Sequence, residues 1–269
     1  MPNRPVVLVI AGTDSSGGAG LTRDLRVLAG CDVGAVAAVT AVTAQTHTHV
    51  ASIHTIPPDV IREQIAAALE ANDVRAIKIG MLGTRECVEA VARSLPLHEA
   101  IPIVLDPVLA ASSGKPLLDA SGRAALRDLL LPNVTLLTPN IPEAAALLGA
   151  PVSNDESVLV HYAQRLRALG PHAVLVKGGH GTGAECTDIL ATGDDEIERL
   201  STPRLNVTMR GTGCTLASAI AAGLARGLPL PYAYRFGRTY LNKQLLTRKL
   251  PPESAQTAAP MRPLPPPSQ

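Results

Sequence analysis

The sequence has very few aromatic residues and almost no net charge. Its 269 residues include one Phe, four Tyr and no Trp, and 24 basic against 23 acidic residues give a net charge of +1. Stacking platforms for nucleic-acid bases need aromatic side chains, and a nucleic-acid face needs clustered Lys and Arg. We therefore expect no nucleic-acid partner, and a core built from Ala, Val, Leu and Ile.

Paired cysteines and long apolar runs are also missing. The four cysteines are far apart and form no CxxC pair: Cys31, Cys87, Cys186 and Cys214. Neither a zinc site nor a disulfide framework is predicted, and free thiols favour a cytoplasmic location. No run reaches the roughly 18 apolar residues that indicate a membrane span, so no membrane partner is expected.

Short apolar runs instead alternate with segments of helical periodicity. The predicted strands are residues 6–11, 35–42, 74–79, 101–105, 134–137 and 173–176. The predicted helices include residues 21–29, one that begins at Pro58, residues 155–169, the segment after residue 214, and residues 231–246. Repeated strand–helix units predict an α/β fold with a mostly parallel central sheet and helices on both faces. We assign it to one domain, residues 1–250, and expect the Pro-rich residues 251–269 to be a disordered tail.

Glycine or polar residues come directly after most of these strands. The positions are Gly12, Gly80, Asp106, Asn140 and Lys177. In open parallel sheets the ligand crevice lies beyond the carboxyl ends of the strands. We therefore expect these residues, which are distant in the sequence, to meet at one site.

The strongest single motif is Gly211-Thr212-Gly213-Cys214, which leads into an apolar helix. Glycines let backbone N–H groups converge, and a helix N-terminus attracts negative charge, so the motif can bind a phosphate. Cys214 would lie in the first helical turn, where we expect its pKa to fall from about 8.5 toward neutrality and make it a general base. The alternative is that the glycines only allow close packing and Cys214 is a small core residue. The motif alone does not decide between them.

A second glycine-rich segment runs from Gly12 to Gly20. A Walker-type loop is excluded, because Gly18 and Ala19 stand where Lys and Ser or Thr are required. The dinucleotide-binding spacing GxGxxG is also absent, because Arg23 stands where its third Gly is required. Taken alone, this segment is as well explained by a flexible turn.

Other polar positions also have two interpretations. Asn140 and Glu143 flank Pro142, which is typical of a helix N-terminus, but a carboxylate beside an amide also holds Mg²⁺ through water and phosphate. Asp106 is either a turn residue or a second acid for a metal or phosphate. Lys177 is either solvated or a phosphate contact.

Taken in order, seven segments resemble one family: AGTDSSGGAG, AVTAQ, KIGML, VLDPV, TPNIPEA, VKGGH and GTGCTLASAIAAGLARG. The sequence is similar to the hydroxymethylpyrimidine/phosphomethylpyrimidine kinases of thiamine biosynthesis, in the ribokinase-like superfamily, over roughly residues 6–246. The resemblance implies a three-layer α/β sandwich, ATP as co-substrate, Mg²⁺ and a homodimer. It also implies two successive phosphorylations, first of 4-amino-5-hydroxymethyl-2-methylpyrimidine and then of its monophosphate.

The resemblance also implies roles for single residues. Gln45 would bond the pyrimidine, with Gly12, Asp24 and Met81 as its pocket neighbours. The magnesium and phosphate residues would be Asn140, Glu143 and Asp106, with Lys177 on the nucleotide side. The amides of Gly211, Thr212 and Gly213 would stabilise the transferring phosphoryl group, and Cys214 would accept the hydroxyl proton.

The sequence departs from the family pattern in three places. Arg210 stands where His is common, Ser112 stands where Lys is frequent, and residues 46–49 (Thr-His-Thr-His) are unusual beside Gln45. The first two changes affect phosphate contacts and local acid–base chemistry, and the third affects the rim of the pocket.

Three other functions are consistent with parts of the pattern. A pyridoxal or related vitamin kinase of the same fold would differ mainly at the residue that reads the ring edge, Gln45. A non-catalytic protein that senses the pyrimidine would not need Cys214, Asn140, Glu143 and Lys177 together. A cysteine hydrolase would need a His close to Cys214, which the sequence does not place.

Overall fold

The fold is organised around a nine-stranded sheet. The computed structural model describes residues 4–97, 100–111, 113–180, 183–193, 196–205 and 207–249. The strands are β1 (Val6–Asp14), β2 (Gly34–Gln45), β3 (Val50–Thr55), β4 (Val74–Ile79), β5 (Ile103–Leu105), β6 (Leu136–Leu137), β7 (Ala173–Val176), β8 (Glu185–Ala191) and β9 (Ile197–Pro203). Their order across the sheet is β3-β2-β1-β4-β5-β6-β7-β8-β9. The predicted tail, residues 251–269, lies outside the described residues.

The six central strands are parallel, as predicted, and the edge strands are antiparallel. Strands β1, β2, β4, β5, β6 and β7 run in one direction. Strand β3 pairs antiparallel with β2 at one edge, and β8 and β9 add antiparallel pairs at the other. Strands β3 and β9 did not stand out in the sequence because they include exposed residues and lack a continuous apolar run. Strand β8 is buried over its last four residues, but its apolar run is only three residues long.

Eight helices occur in the described part of the chain. They are α1 (Gly20–Gly30), α2 (Pro58–Ala71), α3 (Arg85–Ser94), α4 (Ala120–Ala125), α5 (Ile141–Leu148), α6 (Glu156–Arg167), α7 (Thr212–Ala225) and α8 (Leu230–Lys249). Helix α4 continues into a π-helical turn (Leu126–Leu130) and a 3₁₀ turn (Leu131–Asn133).

The helices cover both faces of the sheet, which confirms the three-layer sandwich. Leu8 and Ile10 of β1 point to one face, in a core shared with α2 to α6. Val7 and Val9 point to the other face, in a core shared with α1, α7 and α8. The alternation follows from the period of two along a strand.

Helix α7 is buried almost all round. Eleven of its 14 residues are buried, because it packs against the sheet on one side and α8 on the other. Small residues make this possible: a Cβ atom at Gly237 of α8 would lie 2.7 Å from Ile220 Cγ1. An apolar helix of this kind belongs in the interior, and its N-terminus is thereby fixed relative to the strand ends.

The core on the α2 face supplies a test of this packing. Ile65 has no exposed surface, whereas Val60 on the same helix is 38% exposed. We expect Ile65→Ala to lower the free energy of unfolding by about 2–5 kcal/mol, because it removes buried methyl groups and leaves a cavity. Val60→Ala is the matched control and should change it by less than about 1 kcal/mol. Urea denaturation measures both, and equal effects would contradict the assignment of the α2 faces.

Candidate active site

A cavity of about 900 Å³ opens beyond the carboxyl ends of the parallel strands. Its walls include four of the residues that follow strands: Gly12, Asp106, Asn140 and Lys177. The expectation that these distant positions meet is therefore confirmed. The fifth, Gly80, lies behind the wall, where a Cβ atom would be 2.7 Å from Lys78 Nζ.

The two glycine-rich segments pack directly against each other at this cavity. Gly211 has φ +72° and precedes the first turn of α7. A Cβ atom there would lie 2.5 Å from the Gly18 carbonyl oxygen, so no other residue fits without displacement. Gly20 has φ +59°, and a Cβ atom there would lie 2.5 Å from the Gly12 carbonyl oxygen. The close packing that one interpretation of the motif required is therefore present, and the first turn of α7 also lines the cavity.

The first turn of α7 faces a buried ion pair. Lys177 Nζ lies 2.7 Å from Asp106 Oδ1, and both side chains are almost fully buried. A Cβ atom at Gly213 would lie 3.0 Å from Lys177 Nζ and 3.4 Å from Asp106 Oδ2. Burial opposes the charge on Lys177, but Asp106 and Glu143 outweigh it and raise the pKa of Lys177 above its ordinary value. A cation and helix N–H groups thus face the same space, as phosphate binding requires.

Asn140 and Glu143 form the N-terminus of α5 and also line the cavity. The Glu143 N–H donates to Asn140 Oδ1 at 2.9 Å, and the Asn140 N–H donates to Glu143 Oε2 at 2.8 Å, which is a capping box. The interpretation of these residues as a helix N-terminus is therefore confirmed. The Glu143 carboxylate nevertheless still lines the cavity. Burial raises the pKa of Glu143 to about 7, although Lys177 lowers it.

The acidic side chains suit a hydrated cation rather than an all-protein metal cage. No group of three or more His, Cys, Asp or Glu that could hold a metal occurs among the described residues. Mg²⁺ commonly takes one or two carboxylates and completes its shell with water and phosphate oxygens. Asp106 and Glu143, both on the cavity wall, fit that ligand pattern.

A second buried ion pair lies beneath the cavity and corrects the expectation for Asp24. Asp24 and Lys78 have no exposed side-chain surface, and Lys78 Nζ lies 2.7 Å from Asp24 Oδ2. Ser218 Oγ donates to the other carboxylate oxygen at 2.8 Å. Lys78 lines the cavity and Asp24 does not. Asp24 therefore does not contact the pocket itself, and it acts by fixing the position of Lys78. A charged residue inside the apolar run of residues 74–79 was the signal that could have revealed Lys78.

The structure also corrects the expected acidity of Cys214. The thiol is buried, and burial raises its pKa to about 12, although Lys78 acts to lower it. Desolvation of the thiolate therefore outweighs the helix N-terminus, which we expected to dominate. Among the described residues, the charges that act most strongly on this thiol are Lys78, Asp24 and Asp106, rather than the His that a cysteine hydrolase would need.

The cavity wall also contains Gln45, Gly12 and Met81, the residues that the family resemblance implies for a ring pocket, and we call this part of the wall the ring end. A Cβ atom at Gly12 would lie 3.0 Å from Met81 Sδ, so the sulfur packs directly against the glycine backbone. The sequence analysis did not single out Asp14 as functional, and it named Arg210 without explaining its role. Asp14 is buried and accepts hydrogen bonds from the N–H groups of residues 16 and 19. Arg210 lines the same end of the cavity.

The remaining expectations concern the turn after β2, the cysteines, Ser112 and membrane spans. His47 and His49 are exposed on the turn between β2 and β3. All four cysteines are unpaired. Ser112 lies outside the described residues. None of the helices in the described ranges is both long and apolar enough to cross a membrane.

Comparison with known proteins shows which family this chain is similar to. The family model described as phosphomethylpyrimidine kinase matches residues 14–258. A hydroxymethylpyrimidine/phosphomethylpyrimidine kinase of Salmonella typhimurium is 44% identical over 216 residues, which are 80% of this chain and 81% of that protein. The chain belongs to the phosphomethylpyrimidine kinase family. The family resemblance drawn from the seven segments is thus confirmed.

Solved structures agree on the fold but do not separate two kinds of vitamin kinase. The phosphomethylpyrimidine kinase of Clostridium difficile superposes with a TM-score of 0.78 at 32% identity and covers 90% of this chain and 99% of its own. The pyridoxal kinase of Staphylococcus aureus, in a complex with ADP, gives a TM-score of 0.82 at 28% identity, with 90% and 88% covered. The ribokinase-like fold is confirmed, and the likeness of fold does not by itself distinguish the two acceptors.

The contribution of the buried Asp24–Lys78 ion pair to stability can be tested by mutation. We expect Asp24→Ala to lower the free energy of unfolding by about 3–5 kcal/mol, because it leaves the buried Lys78 ammonium without a counter-charge. The double variant Asp24→Ala/Lys78→Met removes that charge and should recover a large part of the loss. Urea denaturation of the three proteins measures this. A double variant less stable than Asp24→Ala alone would refute the charge explanation.

Proposed function

We propose that this chain transfers the γ-phosphoryl group of ATP to 4-amino-5-hydroxymethyl-2-methylpyrimidine and then to the resulting monophosphate, in thiamine biosynthesis. One observation carries the proposal: the same cavity is lined by the N-terminus of α7, Lys177 and Asp106, which we call the phosphate end, and by Gln45. The first group suits phosphates, and Gln45 suits a small polar ring. The family membership supports the same reaction, and one relative is a thiamine biosynthesis bifunctional protein.

At the phosphate end, catalysis rests on placement and charge. The N–H groups of Gly211, Thr212 and Gly213 point at the transferring phosphoryl group and stabilise its oxygens. Lys177 neutralises phosphate charge from the opposite wall, and its pairing with Asp106 keeps it in place. Phosphoryl transfer involves little covalent chemistry by the protein, so such positioning supplies most of the rate.

Mg²⁺ belongs to the same end of the site. Asp106 and Glu143 would hold it together with water and phosphate oxygens, with Asn140 beside them. When bound, the ion neutralises charge on the phosphate oxygens. Backbone N–H groups of Asn140 and Leu109 donate to the Glu143 carboxylate and hold it at the cavity wall.

Cys214 is the residue we assign to the acceptor's proton. It follows the anion-binding glycines directly, and the N–H of Gly20 and the charge of Lys78 both favour its thiolate. With a pKa of about 12, the thiol is protonated at neutral pH in the free protein. To act as the base, the thiol must therefore first release its proton to solvent. The thiolate then takes the hydroxyl proton of the acceptor as that oxygen bonds the γ-phosphorus and the bond to ADP breaks.

At the ring end, Gln45 supplies the hydrogen bonds that recognise the acceptor. It ends β2, and the Ser15 hydroxyl accepts from its backbone N–H at 2.9 Å. The packing of Met81 against Gly12 forms the apolar side of this space. A flat ring with polar edges fits such a combination of one amide and apolar walls.

A pyridoxal kinase is the second candidate, supported by the TM-score of 0.82 with the Staphylococcus aureus enzyme. The higher identity to pyrimidine kinases favours the first candidate. We also propose that the chain acts as a cytoplasmic homodimer, as the family resemblance implies, and four unpaired cysteines are consistent with a reducing compartment.

An acceptor comparison tests the function. ATP and Mg²⁺ are supplied with the pyrimidine, its monophosphate or pyridoxal, and ADP release is measured. We expect both pyrimidines to be phosphorylated, two ADP per pyrimidine at completion, and at least about tenfold lower kcat/KM with pyridoxal. Asp106→Asn serves as the inactive control of the same shape. A preference for pyridoxal would establish the second candidate, and saturable pyrimidine binding without turnover would indicate a sensor.

Cys214→Ala tests the proton acceptor. We expect kcat to fall by about 10²–10⁴, the usual contribution of a general base. Because the thiolate is lost as the pH falls below its raised pKa, the wild-type kcat should rise with pH from about pH 6 to pH 9, and the variant should lose this rise. Stopped assays across that range measure both. Undiminished turnover with an unchanged pH profile would leave Cys214 a structural residue.

A further inference from the structure

Arg210 connects the glycine loop of α7 to the ring end of the cavity. Its Nη1 donates to the Ser16 hydroxyl at 2.9 Å and to the Thr46 carbonyl at 3.0 Å. Its Nη2 lies 3.4 Å from Gln45 Oε1 and 3.5 Å from Asp14 Oδ2. The side chain is only 19% exposed, so these contacts determine where the guanidinium lies.

The chemistry of a guanidinium decides which way the Gln45 amide faces. An arginine side chain has only N–H donors and accepts no hydrogen bond. The part of the Gln45 amide that faces Arg210 must therefore be the carbonyl oxygen, and the NH₂ group must point away. Because Gln45 lines the cavity, the group that remains for a bound ring is this NH₂ donor.

The identity of residue 210 matters for this reason. In the family that the sequence resembles, this position is commonly His. A histidine ring nitrogen donates or accepts according to its tautomer, so it leaves both orientations of a neighbouring amide open. Arginine permits only one.

The support around Arg210 is rigid. The Asp14 carboxylate, which neutralises the guanidinium, accepts from the Ser16 N–H and the Ala19 N–H, each at 2.8 Å. The Gly18 backbone packs against the guanidinium closely enough that a Cβ atom there would lie 3.2 Å from Nη1. The orientation of Gln45 is thus coupled to the loop that lies against the phosphate end.

We propose that Arg210 is a specificity-determining positioning residue: it holds the Gln45 carbonyl and so requires the acceptor to present a lone pair, such as an unprotonated ring nitrogen, to the Gln45 NH₂ group. An exocyclic amino group does not fit at that point, because two donors would face each other. This inference deepens the proposed function and rests on it.

A double-mutant cycle tests the coupling. The pyrimidine is titrated calorimetrically, without ATP, into the wild type, Arg210→Met, Gln45→Leu and the double variant. We expect each single change to raise the Kd about tenfold, as expected for a lost hydrogen bond of a polar group. The double variant should lie within about twofold of Gln45→Leu, because the two residues act as one unit.

Three further variants separate positioning from general damage. Arg210→Lys keeps a cation and a donor and should recover part of the affinity. Gln45→Glu replaces the NH₂ group by an acceptor and should raise the Kd at least as much as Gln45→Leu. Arg204→Met is the matched control, since Arg204 lines the same cavity but bonds backbone carbonyls of residues 179 and 183, and should leave the Kd unchanged.

The outcomes distinguish this inference from the proposed function. Additive effects in the cycle, or an unchanged Kd in a folded Arg210→Met protein, would overturn the role of Arg210 while wild-type turnover of the pyrimidine left the function standing. A wild type that neither binds nor phosphorylates the pyrimidine would overturn both. If thermal melting shows that Arg210→Met is unfolded, Arg210→Gln takes its place in the cycle with the same criterion of non-additivity, because an amide stays polar but can face Gln45 with either a donor or an acceptor.

Discussion

The site depends on one constraint: helix α7 is largely enclosed by protein and meets the cavity with its N-terminal end. Interior helices satisfy their backbone groups everywhere except at their ends. The N–H groups of the first turn therefore lie at the cavity, and helix N-termini favour anions such as phosphate. The small residues between α7 and α8, such as Gly237, fix the helix closely enough for this N-terminus to keep a constant position.

Two buried ion pairs follow from that arrangement. Lys177 approaches the cavity from the end of β7 and Lys78 from within β4, and each is matched by one carboxylate, Asp106 and Asp24 respectively. Buried pairs contribute little net stability, since the cost of removing charges from water offsets their attraction. Here the pairs fix the positions of two cations beside the proposed phosphate site, and each carboxylate balances the charge of its lysine. The same burial explains why the Cys214 thiol is a weak acid in the free protein.

The sequence was sufficient for the parallel centre of the sheet and insufficient for its edges. The predicted strands at residues 74–79 and 173–176 agree with β4 and β7 at both ends, because strands buried on both faces are mostly apolar. Strand β9 has several exposed residues, and β8 has an apolar run of only three residues at its end, so neither gave a comparable signal. On the cavity wall, Asp106 and Lys177 were predicted because each follows a strand, the glycines because they form motifs, and Gln45 through the family resemblance. The buried ion pair of Asp24 and Lys78 beneath the cavity was not predicted, because it joins residues that are 54 positions apart in the sequence.

The packing of α7 also limits how this protein can be made more heat-resistant. Added methyl groups usually stabilise a protein where they fill space, but the glycines between α7, α8 and the loop before α1 leave no space to fill. Gly211 and Gly20, with positive φ, also exclude the common replacement of glycine by alanine. Thermal adaptation must therefore act at the periphery, on the antiparallel edge strands and exposed helix faces, while the centre of the molecule stays as it is.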